Sequence, residues 1–139
     1  VPPTPAPGPG PWTPRLTMFA RNEKAVMSEK QKKTRALFRD AVFVRARYRC
    51  QGPGCRVVAS AGSAEALLDA HHITPRELMP NGGYVHENGI ALCKANCHEK
   101  AEICLRGGDW PGFDSLNLYA LIKSSRPKAE EASRRLKMS

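Results

Sequence analysis

His71 and His72 stand side by side, and a third histidine, His98, directly follows Cys97. Imidazole ligates divalent metals and exchanges protons near neutral pH, so three such groups form a candidate reaction centre. Asn88 lies between them, immediately before Gly89, where a plain turn asparagine is the ordinary reading. Asp69 precedes His71 by two positions and shares its face if this stretch is a strand. There it either joins a metal shell, bonds a histidine or, as the commoner case, sits solvated. His86 reads as a loop residue.

Four of the five cysteines fall in two close pairs, Cys50-x4-Cys55 and Cys93-x3-Cys97. Zinc favours a tetrahedron of soft ligands, and paired thiolates in two turns supply one. Such a site couples metal binding to folding, which a thin core needs. Cys104 lacks a close pair and reads as a small apolar helix residue. An odd cysteine count, with no apolar signal-peptide region after the N-terminus, argues against a disulfide framework. A cytoplasmic setting follows as an expectation.

These residues need elements to hold them. Ser28 with Gln31 resembles a capping box, and Leu37, Phe38, Ala41, Val42 and Val44 recur at helical spacing, predicting a helix over roughly 29–46. Cys50-Gln-Gly-Pro-Gly-Cys55 predicts a tight turn. Residues 59–66 read as a loop, Leu67–Ile73 as a short strand ended by Thr74-Pro75, and residues 75–87 as a long loop. Gly89–Cys93 predicts a second strand. A helix starts near Asn96 or Cys97 and stops before Gly107-Gly108. Residues 109–122 carry apolar groups suited to packing back on the core.

The chain has 139 residues, which suits one domain with tails. Residues 1–20 are expected as a Pro/Gly-rich disordered leader, with Trp12 an incidental aromatic within it. Residues 21–122 form the domain, with its core in 38–104, and 123–139 a basic polar tail. Net charge is +9, and residues 21–49 concentrate ten Lys/Arg against three acids. A protein this basic suits a polyanion such as nucleic acid or an anionic membrane, and a basic protein with no such partner is the plain alternative. No apolar run is long enough to span a bilayer.

In order, HHITP, ENGIALC and CHEKAE, framed by the cysteine pairs, resemble the zinc-bearing branch of the HNH endonucleases, phage-type members included. The resemblance covers about residues 38–103. It implies an α+β fold of the small ββα-metal (His-Me finger) type, with a structural zinc site and flanking helices. By the same resemblance, His71 is a strand-borne metal ligand, His72 the general base and His98 the helix-borne metal ligand. Asn88 matches the asparagine that fixes the long loop and orients the base. Glu102 stands where some members carry a further ligand, and spacing i, i+4 puts it on the helix face of His98.

The activity implied is metal-dependent hydrolysis of DNA phosphodiester bonds, by nicking or by double-strand cleavage. The catalytic ion would be Mg2+ or Mn2+, with Ni2+ or Zn2+ as alternatives, beside the structural Zn2+ of Cys50, Cys55, Cys93 and Cys97. Arg45, Arg47, Arg49 and Arg76 are candidates for contacts to the DNA backbone, which give affinity without base reading. Double-stranded DNA is the expected partner, and a dimer or a larger phage or host assembly a further possibility. A non-catalytic zinc module that binds nucleic acid is the alternative reading, and an adaptor docking through the Pro-rich leader a third.

Overall fold

A computed structural model describes residues 29–136. The chain divides into two units, Val1–Lys33 and Thr34–Ser139. Of the first, the described residues 29–33 are helical. The expected leader and the Ser28 capping box lie outside the described residues. Everything below concerns the second unit.

Helix α1 occupies residues 34–45 of this unit. It buries Phe38, Val42 and Phe43, while Leu37 is 64% and Val44 60% exposed. The expected stripe therefore splits: positions 38 and 42 face the core, and 37, 41 and 44 turn to the surface. Both sets fit helical spacing, so pattern alone could not choose between them. The helix ends where Arg47 and Tyr48 enter the left-handed region at φ 57° and 58°. There the Tyr48 amide donates back to the Phe43 carbonyl at 2.9 Å, closing the last turn.

The chain then makes the cysteine turn and pairs Arg49 with Val58 in an isolated bridge. Gln51 ties this turn to the sheet. Its amide donates to the Ala91 carbonyl at 2.8 Å, and its side-chain oxygen accepts from the Ala91 amide at 3.1 Å. A short helical turn, α2 (Ala64–Leu67), occupies part of the expected loop.

Strands β1 (Leu68–His72) and β2 (Gly89–Cys93) form a two-stranded antiparallel sheet. Each lies within one residue of its predicted span. The register runs evenly from Leu68 opposite Cys93 to His72 opposite Gly89. Glycine is required at position 89 because α1 crosses there. A Cβ would lie 2.4 Å from Val42 Cγ2 and 2.7 Å from the Phe38 ring. Every residue of β2 is buried, as its unbroken apolar run implies.

Helix α3 (Cys97–Leu105) follows β2 and packs on the sheet. The segment after it does pack back: Phe113, Leu118 and Tyr119, the last two in α4 (Ser115–Leu121), are buried. The stretch from 123 onward is not simply a polar tail. It contains α5 (Arg126–Arg134), started by Ser125, whose side chain accepts the Lys128 amide at 3.3 Å. Ala129 and Ser133 of α5 are wholly buried. Ser133 Oγ accepts the Gly83 amide at 3.0 Å and donates to the Pro80 carbonyl. Asn81 Nδ2 donates to the Ser133 carbonyl at 3.0 Å and to the Leu136 carbonyl at 3.1 Å. The final helix thus pins the long loop between β1 and β2.

Among the described residues, no helix is long and apolar enough to cross a membrane. All five cysteines are free thiols. The result is a small α+β unit with a two-stranded sheet and a cluster of four cysteines.

Candidate active site

The sulfur atoms of Cys50, Cys55, Cys93 and Cys97 all lie within 4.8 Å of one another. Cys55 and Cys93 Sγ are 3.9 Å apart, close to the roughly 3.8 Å edge of a tetrahedron with 2.3 Å zinc–sulfur bonds. Backbone amides point at these sulfurs. Gly52 N and Cys93 N donate to Cys50 Sγ at 3.4 and 3.2 Å, and Cys97 N donates to Cys93 Sγ at 3.3 Å. Such donors stabilise thiolate over thiol.

Gly52 permits the approach, since a Cβ there would stand 2.6 Å from Cys97 Sγ. Burial pushes the Cys50 thiol up to about 11 and raises Cys97 as well, while at Cys93 burial is outweighed by hydrogen bonds from the Cys97 amide and neighbouring groups, which lower it. A cage of four thiol sulfurs with amide donors and no internal counter-charge fits a structural metal ion such as zinc.

The second cluster joins His71, His98 and Glu102, whose ligand atoms also lie within 4.8 Å of one another. His71 comes from β1, and the other two from α3. The His71 and His98 ring centroids are 5.2 Å apart. His71 is only 4% exposed, and its Nε2 is buried with no hydrogen-bond partner. His98 Nδ1 lies 2.8 Å from Asp69 Oδ2, which orients the ring. His98 Nε2 then faces Glu102 Oε1 at 3.4 Å.

When the neutral ring donates its Nδ1–H to Asp69, Nε2 carries a lone pair, and the Glu102 carboxylate is acceptor-only. Two acceptors at that distance repel unless a proton or a metal ion lies between them. An orphaned imidazole nitrogen beside them makes three donors of electron pairs aimed at one point. These residues fit a divalent cation, with Asp69 as the outer partner that sets the His98 tautomer.

His72 belongs to the other face of the hairpin. It stacks on Phe38 with centroids 4.6 Å apart and meets the Tyr84 ring edge-on at 4.8 Å. The even register contains no bulge to redirect it. Instead two grooves meet around β1. One, of about 470 Å3, is bordered by His71, His72, Arg76, His98 and Glu102. The other, of about 360 Å3, is bordered by Arg35, Phe38, Asp69, His72, Arg76 and Tyr84. His72, Arg76 and Ala70 border both. Opposite-facing side chains thus line two grooves that share these three residues.

Both strand histidines are neutral at physiological pH. Burial lowers His71 to about 3, helped by His98 and His72. Burial also lowers His72 to about 4, helped by the positive charges of Arg76 and Arg35. The His72 Nε2 is enclosed and unpartnered.

Asn88 does not reach His72. Its Oδ1 accepts from the Thr74 amide at 3.0 Å and from Tyr119 Oη at 2.7 Å. Its Nδ2 donates to the Thr74 and Gly83 carbonyls at 3.0 and 3.2 Å. That fills the amide's donor and acceptor capacity, and the residue is fully buried. It braces the loop that leaves β1.

Arg45 is likewise not free for a ligand. Its guanidinium turns inward and donates to the His86 and Gly89 carbonyls. Arg47 and Arg49 are exposed but border neither groove. Arg76 does border the cleft. The sequence reading missed Arg35 and Tyr84 as cleft residues. Arg35 was visible only as one charge of a basic helix, and Tyr84 lies in an irregular loop with no periodic signal.

Comparison with protein-family models, with curated proteins and with solved structures found no match.

Proposed function

We propose that this chain is a metal-dependent endonuclease of the HNH type, with a ββα-metal core made of β1, β2 and α3, that hydrolyses DNA phosphodiester bonds. One observation carries the reading. His71, His98 and Glu102 converge within 4.8 Å from two separate elements, with a buried, unpartnered His71 nitrogen and a neutral His72 bordering the same cleft.

A bound divalent ion, Mg2+ or Mn2+ by preference, would supply charge neutralisation at the phosphate and at the leaving oxygen. His71 and His98 would hold it, with Glu102 as the third ligand and Asp69 fixing the His98 ring. His72 would accept the proton of the attacking water. Its depressed basicity keeps it unprotonated, and its enclosed Nε2 leaves that task to Nδ1. Phe38 and Tyr84 clamp the ring so that it holds one orientation. Arg76 at the cleft edge suits a phosphate oxygen, and the net charge of +9 suits a polyanionic substrate.

The four-cysteine cluster would keep β2 and the start of α3 in place, since Cys93 ends the strand and Cys97 begins the helix. Zinc there would have no part in the reaction.

Plasmid cleavage with Mg2+, Mn2+ or Ni2+ tests this, wild type beside His72→Ala. The expected result is nicked or linear product from wild type and a loss of about 100-fold or more in the variant, the scale of general-base catalysis. A wild-type protein that retains its zinc and binds DNA, but cuts under none of these metals, refutes the hydrolase and leaves the zinc-stabilised binding module.

A further inference from the structure

The second groove holds an arrangement that the metal cluster does not use. Arg35, from α1, donates through Nε to Tyr84 Oη at 3.3 Å. Arg76, from the turn after β1, donates through Nη1 to the same oxygen at 2.8 Å. Two guanidiniums from distant parts of the chain therefore meet on one phenol. Among the described residues, neither is ion-paired with a carboxylate. Both are exposed, and each keeps further N–H donors beyond the one spent on the tyrosine.

Two convergent positive charges repel. A neutral hydroxyl orients them without cancelling either charge, so the pair is poised for an anion. Tyr84 itself is fixed by ring contacts, edge-on to His72 at 4.8 Å and to Phe38 at 5.9 Å.

The geometry points to a second phosphate-binding site, formed by Arg35, Arg76 and the Tyr84 hydroxyl that spaces them, for a non-scissile phosphate of the strand being cut. This rests on the endonuclease reading, because it takes the nucleic-acid backbone as the ligand. Its position supports that ligand. The groove adjoins the metal-cluster groove through His72 and Arg76, so a strand laid along the cleft passes from one to the other around the end of β1. Guanidinium is suited to the task, since its forked donors match phosphate oxygens. The contact would fix the register of the strand and would carry no base preference.

The test is duplex binding by fluorescence anisotropy, with zinc-loaded protein and no added divalent ion, over a series of salt concentrations. Arg35→Gln should weaken binding and reduce the slope of log Kd against log salt by about 1, the loss of one phosphate contact. Tyr84→Phe keeps the ring against His72 and keeps both charges. It should weaken binding by less and leave the slope unchanged. Arg56→Gln, which removes an exposed charge on the cysteine turn, serves as the charge-matched control and should leave the slope as in wild type.

An Arg35→Gln slope equal to wild type, or a fall in the Arg56→Gln slope as large as that of Arg35→Gln, overturns the site. Plasmid cleavage by the same wild-type preparation separates the two claims. Cutting with an Arg35-independent slope rejects the phosphate site alone. An Arg35-dependent slope without cutting rejects the hydrolase and leaves Arg35 as a backbone phosphate contact of a nucleic-acid-binding module.

Discussion

The imidazole of His98 and the carboxylate of Asp69 meet at 2.8 Å between Nδ1 and Oδ2. This contact decides which nitrogen of His98 faces His71 and Glu102. Asp69 gains that position because it lies two residues before His71 on an evenly paired strand, and so on the same face. Removing it by Asp69→Ala should leave the fold intact and weaken binding of the catalytic ion by roughly 10- to 100-fold, the usual effect of losing an outer-sphere partner. The concentration of Mn2+ needed for half-maximal cleavage measures this. An unchanged value would mean that Asp69 does not tune the site.

The sulfur cage should be indispensable to folding. Cys93→Ser removes a sulfur at the junction of β2 and the turn into α3, and structural zinc contributes about 10–16 kcal/mol of apparent binding energy in zinc-finger peptides. The variant should lose bound zinc and its cooperative thermal transition. Metal analysis with far-ultraviolet circular dichroism checks both, and a normal melt in zinc-free protein would contradict the assignment.

Gly89 is where helix α1 presses on the hairpin. Gly89→Ala sets a methyl 2.4 Å from Val42 Cγ2 and against the Phe38 ring, so the helix must shift. Overpacking of this kind costs about 1–3 kcal/mol. Because Phe38 also backs His72, cleavage should fall beyond what stability explains. Urea midpoints paired with cleavage rates under fully folded conditions distinguish the two effects.

Acid should destabilise the protein through its buried imidazoles. The folded-state value of His72 is depressed to about 4 from 6.5, so the unfolded chain binds the proton first as pH falls. The contribution of this group is complete above about 6.5 and is lost progressively toward 4. His72→Phe keeps an aromatic ring on Phe38 and cannot charge. Between pH 7 and pH 5 its unfolding free energy should fall by about 1–2 kcal/mol less than that of wild type. Parallel pH profiles in urea titrations would argue against a neutral, enclosed His72.

The sequence spoke clearly where residue type and spacing carry geometry. Cysteine pairs in turns point to convergence by their spacing, whereas the pairing of His71 with His98 came only with the resemblance to a known family. The strands were equally legible, β2 as a short apolar run and β1 as a short segment ended by Thr74-Pro75. Arg45 was not, since an arginine counts as charge in a sequence even when its guanidinium is turned inward onto the His86 and Gly89 carbonyls. Helix α5 was hidden because it buries only small residues, Ala129 and Ser133, and so leaves little apolar pattern. The Asn88 network escaped as well: its partners Thr74, Gly83 and Tyr119 are scattered along the chain and come together only in the folded loop.

The central claim is that His71 and His98 share one ion distinct from the sulfur-bound metal. Calorimetric titration of zinc-loaded protein with Mn2+ tests it directly. Wild type should take up one further ion per chain, and His71→Ala and His98→Ala should each abolish that uptake while keeping the cysteine-bound zinc. Equal Mn2+ uptake by wild type and both variants, or none by wild type, would contradict it.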